Sequence, residues 1–311
     1  MKIIFMGTPE FAAASLEGLL RAGHDVICVF TQPDKPQNRG MALAQSAVKQ
    51  VALRYNIRVE QPESLKTKSV MNLLRELAPD LIIVVAYGKI LPKSVLELPK
   101  LGCVNIHASL LPKYRGSSPI QSAILAVDTV TGVTAMYMDE GVDTGDMILK
   151  MELPIEEIDT ADSLHDKLAV LGKACLLKTL ELFASGIKPI GEKQDENQAT
   201  HTVKLEKGMG LLDFAQPMEK LVSTVRGLYS WPCAYCYLDG KMLKVMEAKA
   251  CPDRYGPIGQ ILPDKRFIVA CGDGAIELVT VQPEGKRRMS GSEYLRGKRI
   301  ESGLYIDGYP R

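Results

Sequence analysis

Lys2-Ile3-Ile4-Phe5-Met6-Gly7-Thr8-Pro9-Glu10 sets an apolar run, a glycine and a helix start in one unbroken stretch. A strand that turns through glycine straight into a helix is the first half of a βα unit, and the same alternation continues outward from it. Apolar runs at Lys2–Met6, Val26–Thr31, Ile57–Glu60, Leu81–Ala86 and Cys103–His107 read as strands. Between them, helices are expected at Glu10–Ala22, Ala42–Tyr55, Lys66–Leu77 and Pro119–Ala126. Two further strands are expected at Val133–Met138 and Met147–Glu152. A helix over Ala161–Ala184 then carries the stripe Leu164, Leu168, Leu171 and Cys175 and stops at Gly186. The expected fold of this half is α/β, a doubly wound sheet.

A glycine after the first strand invites comparison with dinucleotide-binding folds. Their fingerprint needs a second glycine so that the backbone can approach a pyrophosphate, and Pro9 stands in that place. Glu10 also puts a carboxylate in the first helical turn, where a phosphate would otherwise be drawn. Thr8 as N-cap and Pro9 at the first helical position account for the segment locally. The stretch argues against a dehydrogenase.

With 311 residues the chain fits two domains better than one. A hydrophobic share of 46% suffices for real cores, and a charged share of 24% is ordinary for a soluble protein. The net charge of +1 announces no nucleic-acid partner. Yet residues 206–311 carry 16 Lys and Arg against 13 Asp and Glu, and the rest 22 against 24. The N-terminal apolar run is too short for a signal peptide and no run is long enough for a membrane span, so a cytoplasmic protein is expected. Seven cysteines in a chain of this size are expected as free thiols. Cys233 and Cys236 form a lone CxxC in a strand-like run, where positions three apart face opposite sides of a sheet. No second pair follows it, and no metal is expected.

From Ile187 to Thr202 the chain turns polar, through Pro189, Gly191 and the run Glu192-Lys-Gln-Asp-Glu-Asn-Gln198. We therefore expect a first domain over residues 1–189, a linker over 190–203 and a second domain over 204–311. Short runs at Ala234–Leu238, Met242–Ala248, Phe267–Cys271 and Ala275–Val281 are punctuated by Asp239-Gly240 and Gly272-Asp273-Gly274. That pattern suits a small OB-like β-barrel. Its basic residues, Lys286, Arg287, Arg288, Arg296, Lys298 and Arg299, with Lys204 and Lys207 nearer the linker, form either a solvated face or a phosphate-tracking surface.

Chemistry concentrates in two stretches. In Gly102-Cys-Val-Asn-Ile-His-Ala-Ser-Leu-Leu-Pro-Lys-Tyr-Arg-Gly116, alternation on the strand puts Asn105 and His107 on one face. They sit at the carboxyl end, where open α/β sheets bind ligands, and a loop broken by Pro112 follows. The second stretch is Met138-Asp-Glu-Gly-Val-Asp-Thr-Gly-Asp146. Its acids suggest a metal loop, a catalytic acid or a solvated turn; calcium-loop spacing is absent. Gly141 and Gly145 bracket Asp143 and make it the best-presented carboxylate.

Together, Asn105-Ile-His107, Ser109-Leu-Leu-Pro112, Arg115-Gly116 and Gly141-Val-Asp143-Thr-Gly145 resemble the signature of the 10-formyltetrahydrofolate-dependent formyltransferases. That family includes glycinamide ribonucleotide transformylase, amino-sugar formyltransferases and methionyl-tRNA formyltransferase. Met6-Gly-Thr-Pro-Glu-Phe-Ala12 and Arg226-Gly-Leu-Tyr-Ser-Trp-Pro232 resemble the last group, and the similarity runs across essentially the whole chain.

The resemblance implies a Rossmann-like catalytic domain and formyl transfer from 10-formyltetrahydrofolate to initiator methionyl-tRNA, by a monomer without metal. It implies Asn105, His107 and Asp143 as the catalytic trio. Asn105 and a protonated His107 would donate to the oxyanion, and Asp143 would relay a proton. The folate pocket would be shaped by Ser109, Leu110, Leu111, Pro112, Tyr87, Gly88, Gly141 and Val142. Arg39, in a loop with little apolar content, would meet the tRNA acceptor end, and the basic residues of the second domain would position the tRNA body. Two departures stand out: Arg39-Gly40 is followed by Met41-Ala42 where the family continues with lysines, and Cys233 replaces a common glycine. An amino-sugar acceptor would keep the same trio and the same folate.

Overall fold

The computed structural model describes residues 1–37, 42–298 and 302–309. Arg39 and Arg299, both singled out above, lie outside the described residues. By internal contacts the chain falls into two compact units. One comprises Met1–Pro119, Val130–Pro154 and His165–Thr202; the other comprises Ile120–Thr129, Ile155–Leu164 and Val203–Arg311.

In chain order the first half runs β1 (Ile3–Gly7), α1 (Glu10–Arg21), β2 (Val26–Phe30), β3 (Lys35–Gln37), β4 (Ala42–Ala44), α2 (Ala47–Arg54), β5 (Val59–Glu60) and α3 (Lys68–Leu77). It continues with β6 (Leu81–Val85), α4 (Lys93–Leu96), β7 (Cys103–His107), α5 (Pro119–Leu125), β8 (Val130–Tyr137), β9 (Met147–Pro154) and α6 (Ala161–Leu182). One seven-stranded sheet has the order β5-β2-β1-β6-β7-β8-β9. The first five strands are parallel, whereas β8 and β9 run antiparallel to their neighbours. Strands covered on both faces need apolar residues throughout, which is why β1 and β6 are buried at every position. Phe30, Leu74, Tyr87 and Val95 belong to the core on one side of this sheet.

Two local expectations are corrected. The helix expected from Ala42 begins only at Ala47, because Ala42–Ala44 pair antiparallel with Lys35–Gln37. Ser46 supplies the cap that a helix start requires, accepting from the Lys49 amide at 3.0 Å. Thr8, expected as the cap of α1, sits one residue too early; Pro9 holds that position without a side-chain bond. The Thr8 hydroxyl instead donates to the Tyr87 carbonyl at 3.1 Å and accepts from the Gln32 amide at 3.4 Å. It ties the ends of three neighbouring strands, β1, β2 and β6.

The second unit contains α7 (Met218–Gly227), β10 (Ala234–Leu238), β11 (Lys241–Cys251), β12 (Ile268–Cys271), β13 (Gly274–Pro283), β14 (Met289–Ser290) and α8 (Gly291–Lys298). Its antiparallel sheet, ordered β10-β11-β13-β12 with β14 on β13, curls into a half-barrel, the form taken by the small barrel expected here. Phe214, Leu221, Val245, Phe267, Ile276 and Leu278 fill its core. The motif Arg226-Gly-Leu-Tyr-Ser-Trp-Pro232 works structurally within this unit. Arg226 donates to the carbonyls of Glu156 (3.4 Å) and Glu157, and an added Cβ on Gly227 would press on Leu125 at 3.1 Å. Trp231, the only tryptophan of the chain, is about half exposed at 51%. Among the described residues no helix is long and apolar enough to cross a membrane.

Candidate active site

Strand β7 builds one wall. Val104 and Ile106 point into the core, so alternation turns Asn105 and His107 to the opposite face. Cys103 at the strand's start points its thiol at the carbonyls of Val95 and Leu96, 3.7 and 3.8 Å away. Burial pushes that thiol up to about 12, so it remains protonated and offers no nucleophile.

Asp143 arrives by a different route. Because β8 is antiparallel to β7, its last residue, Tyr137, lies beside Val104 rather than beside His107. The connection from β8 to β9 must fold back to reach the two polar side chains, and it is closed at its base by the Tyr137 amide on the Asp146 carbonyl at 2.9 Å. Asp143 takes a left-handed backbone conformation, φ 56°, unusual for a residue with a Cβ. Its carboxylate accepts from Asn105 Nδ2 at 3.3 Å and from the Gly116 amide at 2.8 Å, and Oδ2 lies 3.6 Å from His107 Nδ1. On its other side His107 Nε2 is 2.9 Å from the Tyr114 carbonyl. A carbonyl can only accept, so Nε2 carries a proton and Nδ1 faces the carboxylate.

The loop after β7 is braced throughout. The Ser109 hydroxyl donates to the Lys113 carbonyl at 2.6 Å, and Thr134 Oγ1 donates to the Ser109 carbonyl while accepting from the Leu111 amide. The segment expected as a plain linker also belongs to this structure. The Thr202 amide donates to the Arg115 carbonyl at 2.8 Å, and the Arg115 amide donates to the Thr200 carbonyl at 2.8 Å. The buried Arg115 side chain donates to Gln194 Oε1 at 3.0 Å and in two-pronged fashion to Glu196 at 2.9 and 2.7 Å. Gln194 Nε2 in turn donates to the carbonyls of Asp143 and Gly145. Glu196 holds the Arg115 guanidinium above its ordinary pKa, and Arg115 holds the Glu196 carboxyl below its own.

The structure thus brings the Asp143 carboxylate to both Asn105 and His107. Of the residues expected around a folate, Leu111 is buried and Ser109 is fully enclosed, while Leu110 and Pro112 are partly open. Tyr87 turns its ring into the core and offers its main chain only, whose carbonyl accepts from Thr8 and Gln32. Gly88 adopts φ 76°, Gly141 donates to Asp139, and Val142 stands exposed. Among the described residues no cluster of His, Cys, Asp or Glu has the makings of a metal site. Lys204, Lys207, Lys286, Arg287, Arg288, Arg296 and Lys298 are all exposed in the second unit. Arg288 is not wholly free, since it donates to the Tyr229 hydroxyl at 3.1 Å and lies over that ring. Sequence reading overlooked Gln194, Glu196 and Thr200 because a polar run reads as a linker.

Residues 1–180 match the family model described as formyl transferase, and residues 204–299 match the one described as formyl transferase, C-terminal domain. A methionyl-tRNA formyltransferase from Caldanaerobacter subterraneus is 48% identical over 98% of this chain and 100% of its own. Another, from Thiobacillus denitrificans, is 46% identical over 98% of this chain and 99% of its own. The fold is also that of an N-formyltransferase from Helicobacter canadensis, solved with folinic acid and dTDP-3-aminofucose. That structure has a TM-score of 0.67 at 20% identity and matches over 91% of this chain and 99% of its own. With both family models matched in order and near-half identity from end to end, the chain belongs to the formyl transferase family, alongside the methionyl-tRNA formyltransferases.

Proposed function

We propose that this protein transfers the formyl group of 10-formyltetrahydrofolate to the free α-amine of initiator methionyl-tRNA, acting as a cytoplasmic monomer. The observation that carries the reading is the convergence of an amide, an imidazole and a carboxylate: the Asp143 carboxylate lies 3.3 Å from Asn105 Nδ2 and 3.6 Å from His107 Nδ1. Whole-chain likeness to methionyl-tRNA formyltransferases supports the choice of acceptor.

An α-amine with a pKa of about 8 supplies enough free base near neutrality, so the chemical problem lies elsewhere. The amine nitrogen forms a bond to the formyl carbon, and the carbonyl electron pair moves onto oxygen. Collapse of that intermediate breaks the bond to the folate N10. The amine loses a proton and N10 gains one, so no net acid or base is consumed. Asn105 Nδ2 spends one N–H on Asp143 and has a second for the developing oxyanion. His107 keeps its Nε2 proton on Tyr114, which leaves Nδ1 to exchange the travelling proton with Asp143.

In this reading residues 1–189 form the catalytic domain and 204–311 the tRNA-positioning domain, joined through 190–203. Ser109–Pro112, Tyr87–Gly88 and Gly141–Val142 shape the folate pocket, Arg39 meets the acceptor end, and Lys204, Lys207, Lys286–Arg288 and Arg296–Arg299 follow backbone phosphates. The test offers 10-formyltetrahydrofolate with charged initiator tRNA or with a nucleotide-linked amino sugar. Transfer to the tRNA, steeply weakened by salt, is the expected result. Preference for the sugar would overturn the acceptor assignment.

A further inference from the structure

We propose that Gln194 is a positioning residue for formyl transfer, the last link in a relay Glu196–Arg115–Gln194 that holds Asp143 in its working conformation. The inference rests on the role given to Asp143 above.

Three observations carry it. First, Asp143 sits at φ 56°, a conformation that its neighbours have to impose. Second, one side chain grips the main chain on both sides of the turn: Gln194 Nε2 donates to the Asp143 carbonyl at 2.9 Å and to the Gly145 carbonyl at 2.8 Å. Third, the direction of that amide is fixed from behind. Arg115 Nε can only donate, so its 3.0 Å contact requires the oxygen of Gln194, and the NH2 group must then face the turn. Arg115 is itself immobilised, 2% exposed and paired with both oxygens of Glu196.

The same loop holds the carboxylate. Gly116, the residue after Arg115, donates its amide to Asp143 Oδ2, the oxygen that faces His107 Nδ1. Arg115 thus stands at a junction: its side chain governs the Asp143 backbone through Gln194, and its neighbour's amide governs the Asp143 side chain. Close packing leaves little slack in the turn, since an added Cβ on Gly145 would collide with the Tyr137 carbonyl. Without the two amide bonds from Gln194, the turn loses its reason to keep Asp143 left-handed, and relaxation would swing the carboxylate away from Asn105 and His107. A displacement of about 1 Å at such a site can cost on the order of a hundredfold in rate.

The experiment measures steady-state kinetics of Gln194→Met, which keeps length and loses both amide contacts, together with Asp143→Asn and the double variant. Melting temperature and binding of a folate analogue report whether each protein is folded. We expect Gln194→Met to lower kcat roughly 10- to 100-fold, with KM for both substrates within about threefold of the parent. In the Asp143→Asn background the same change should cost almost nothing more, because the group it positions is already gone. Equal losses in both backgrounds, or a loss confined to KM, would overturn the positioning role. Full turnover in Asp143→Asn would instead overturn the role of Asp143, so the two failures are distinguishable. Should Gln194→Met fold poorly, Gln194→Glu provides a second reading. It preserves shape and the Arg115 contact but presents acceptors to the two carbonyls, so kcat should fall at least as far.

Discussion

Asn105 and His107 owe their placement to a strand, whereas Asp143 owes its placement to a turn held by residues distant in the chain, Gln194 among them at 51 positions. The strand needs no help: its register with β6 and β8 fixes which way each side chain points. The turn carries an unfavourable backbone conformation and depends on Gln194, Arg115 and Gly116 to keep it. The contrast teaches that the two walls of one site can differ in robustness. Damage to the β7 wall has to strike the functional residue itself. Damage to the Asp143 wall can come from residues that touch neither substrate.

The largest expected effect bears on both walls. Asn105→Ala, His107→Ala and Asp143→Ala should each lower kcat at least about a hundredfold, the scale of losing an oxyanion donor or a proton-transfer group. Circular dichroism should be unchanged, and double variants should lose less than the product of the single losses. A single variant with near-parental turnover removes that residue from the chemistry.

Arg115→Met sharpens the comparison, because it deletes the junction of the braced wall and leaves β7 untouched. Turnover should drop about tenfold or more, and proteolysis within 190–203 should accelerate. Unchanged turnover would mean that the Asp143 turn stands without its brace.

A pH test isolates the outer end of the relay. Arg115 depresses the Glu196 carboxyl in the folded protein, so the clamp contributes stability in full above the ordinary glutamate value. That contribution fades as pH falls through the lowered folded value. Glu196→Gln should therefore melt below the parent at pH 7, and the gap should close in acid. A gap that persists or widens there would contradict the ion-pair account.

The smallest expected effect concerns the strand side. Thr8→Val removes the hydroxyl that links the ends of β1, β2 and β6, at a cost of about 1–2 kcal/mol in stability. Because β7 is held by its own register, kcat should stay within about twofold. A large fall in kcat would show that the strand wall is less self-sufficient than its pairing suggests.

What the sequence made legible follows the same division. Strands β1 and β6 could be read directly, since fully buried strands show as continuous apolar runs, and the boundaries of β7 were legible as well. Asn105 and His107 followed from simple alternation. Asp143 could be picked out by its flanking glycines, yet nothing local announces φ 56° or the partner that enforces it. The run Glu192–Gln198 reads as a linker because its bonds are long-range, and composition does not distinguish a solvated polar residue from one aimed into a turn. The hairpin of β3 and β4 was missed for the opposite reason: Ala42–Ala44 favour helix by propensity, and pairing with Lys35–Gln37 overrides it. In the second unit, α7 is absent from the expected elements although Met218, Leu221, Val222 and Val225 recur at helical spacing.

One further consequence concerns Trp231. Since the chain has no other tryptophan, all of its indole emission originates in the second unit. Far-ultraviolet dichroism, by contrast, is dominated by the helices and seven-stranded sheet of the first. The natural protein therefore carries its own pair of spectroscopic channels, one for each half. In a denaturant titration, coincident curves would describe a single cooperative transition, and separated curves would give each half its own midpoint without any label being introduced.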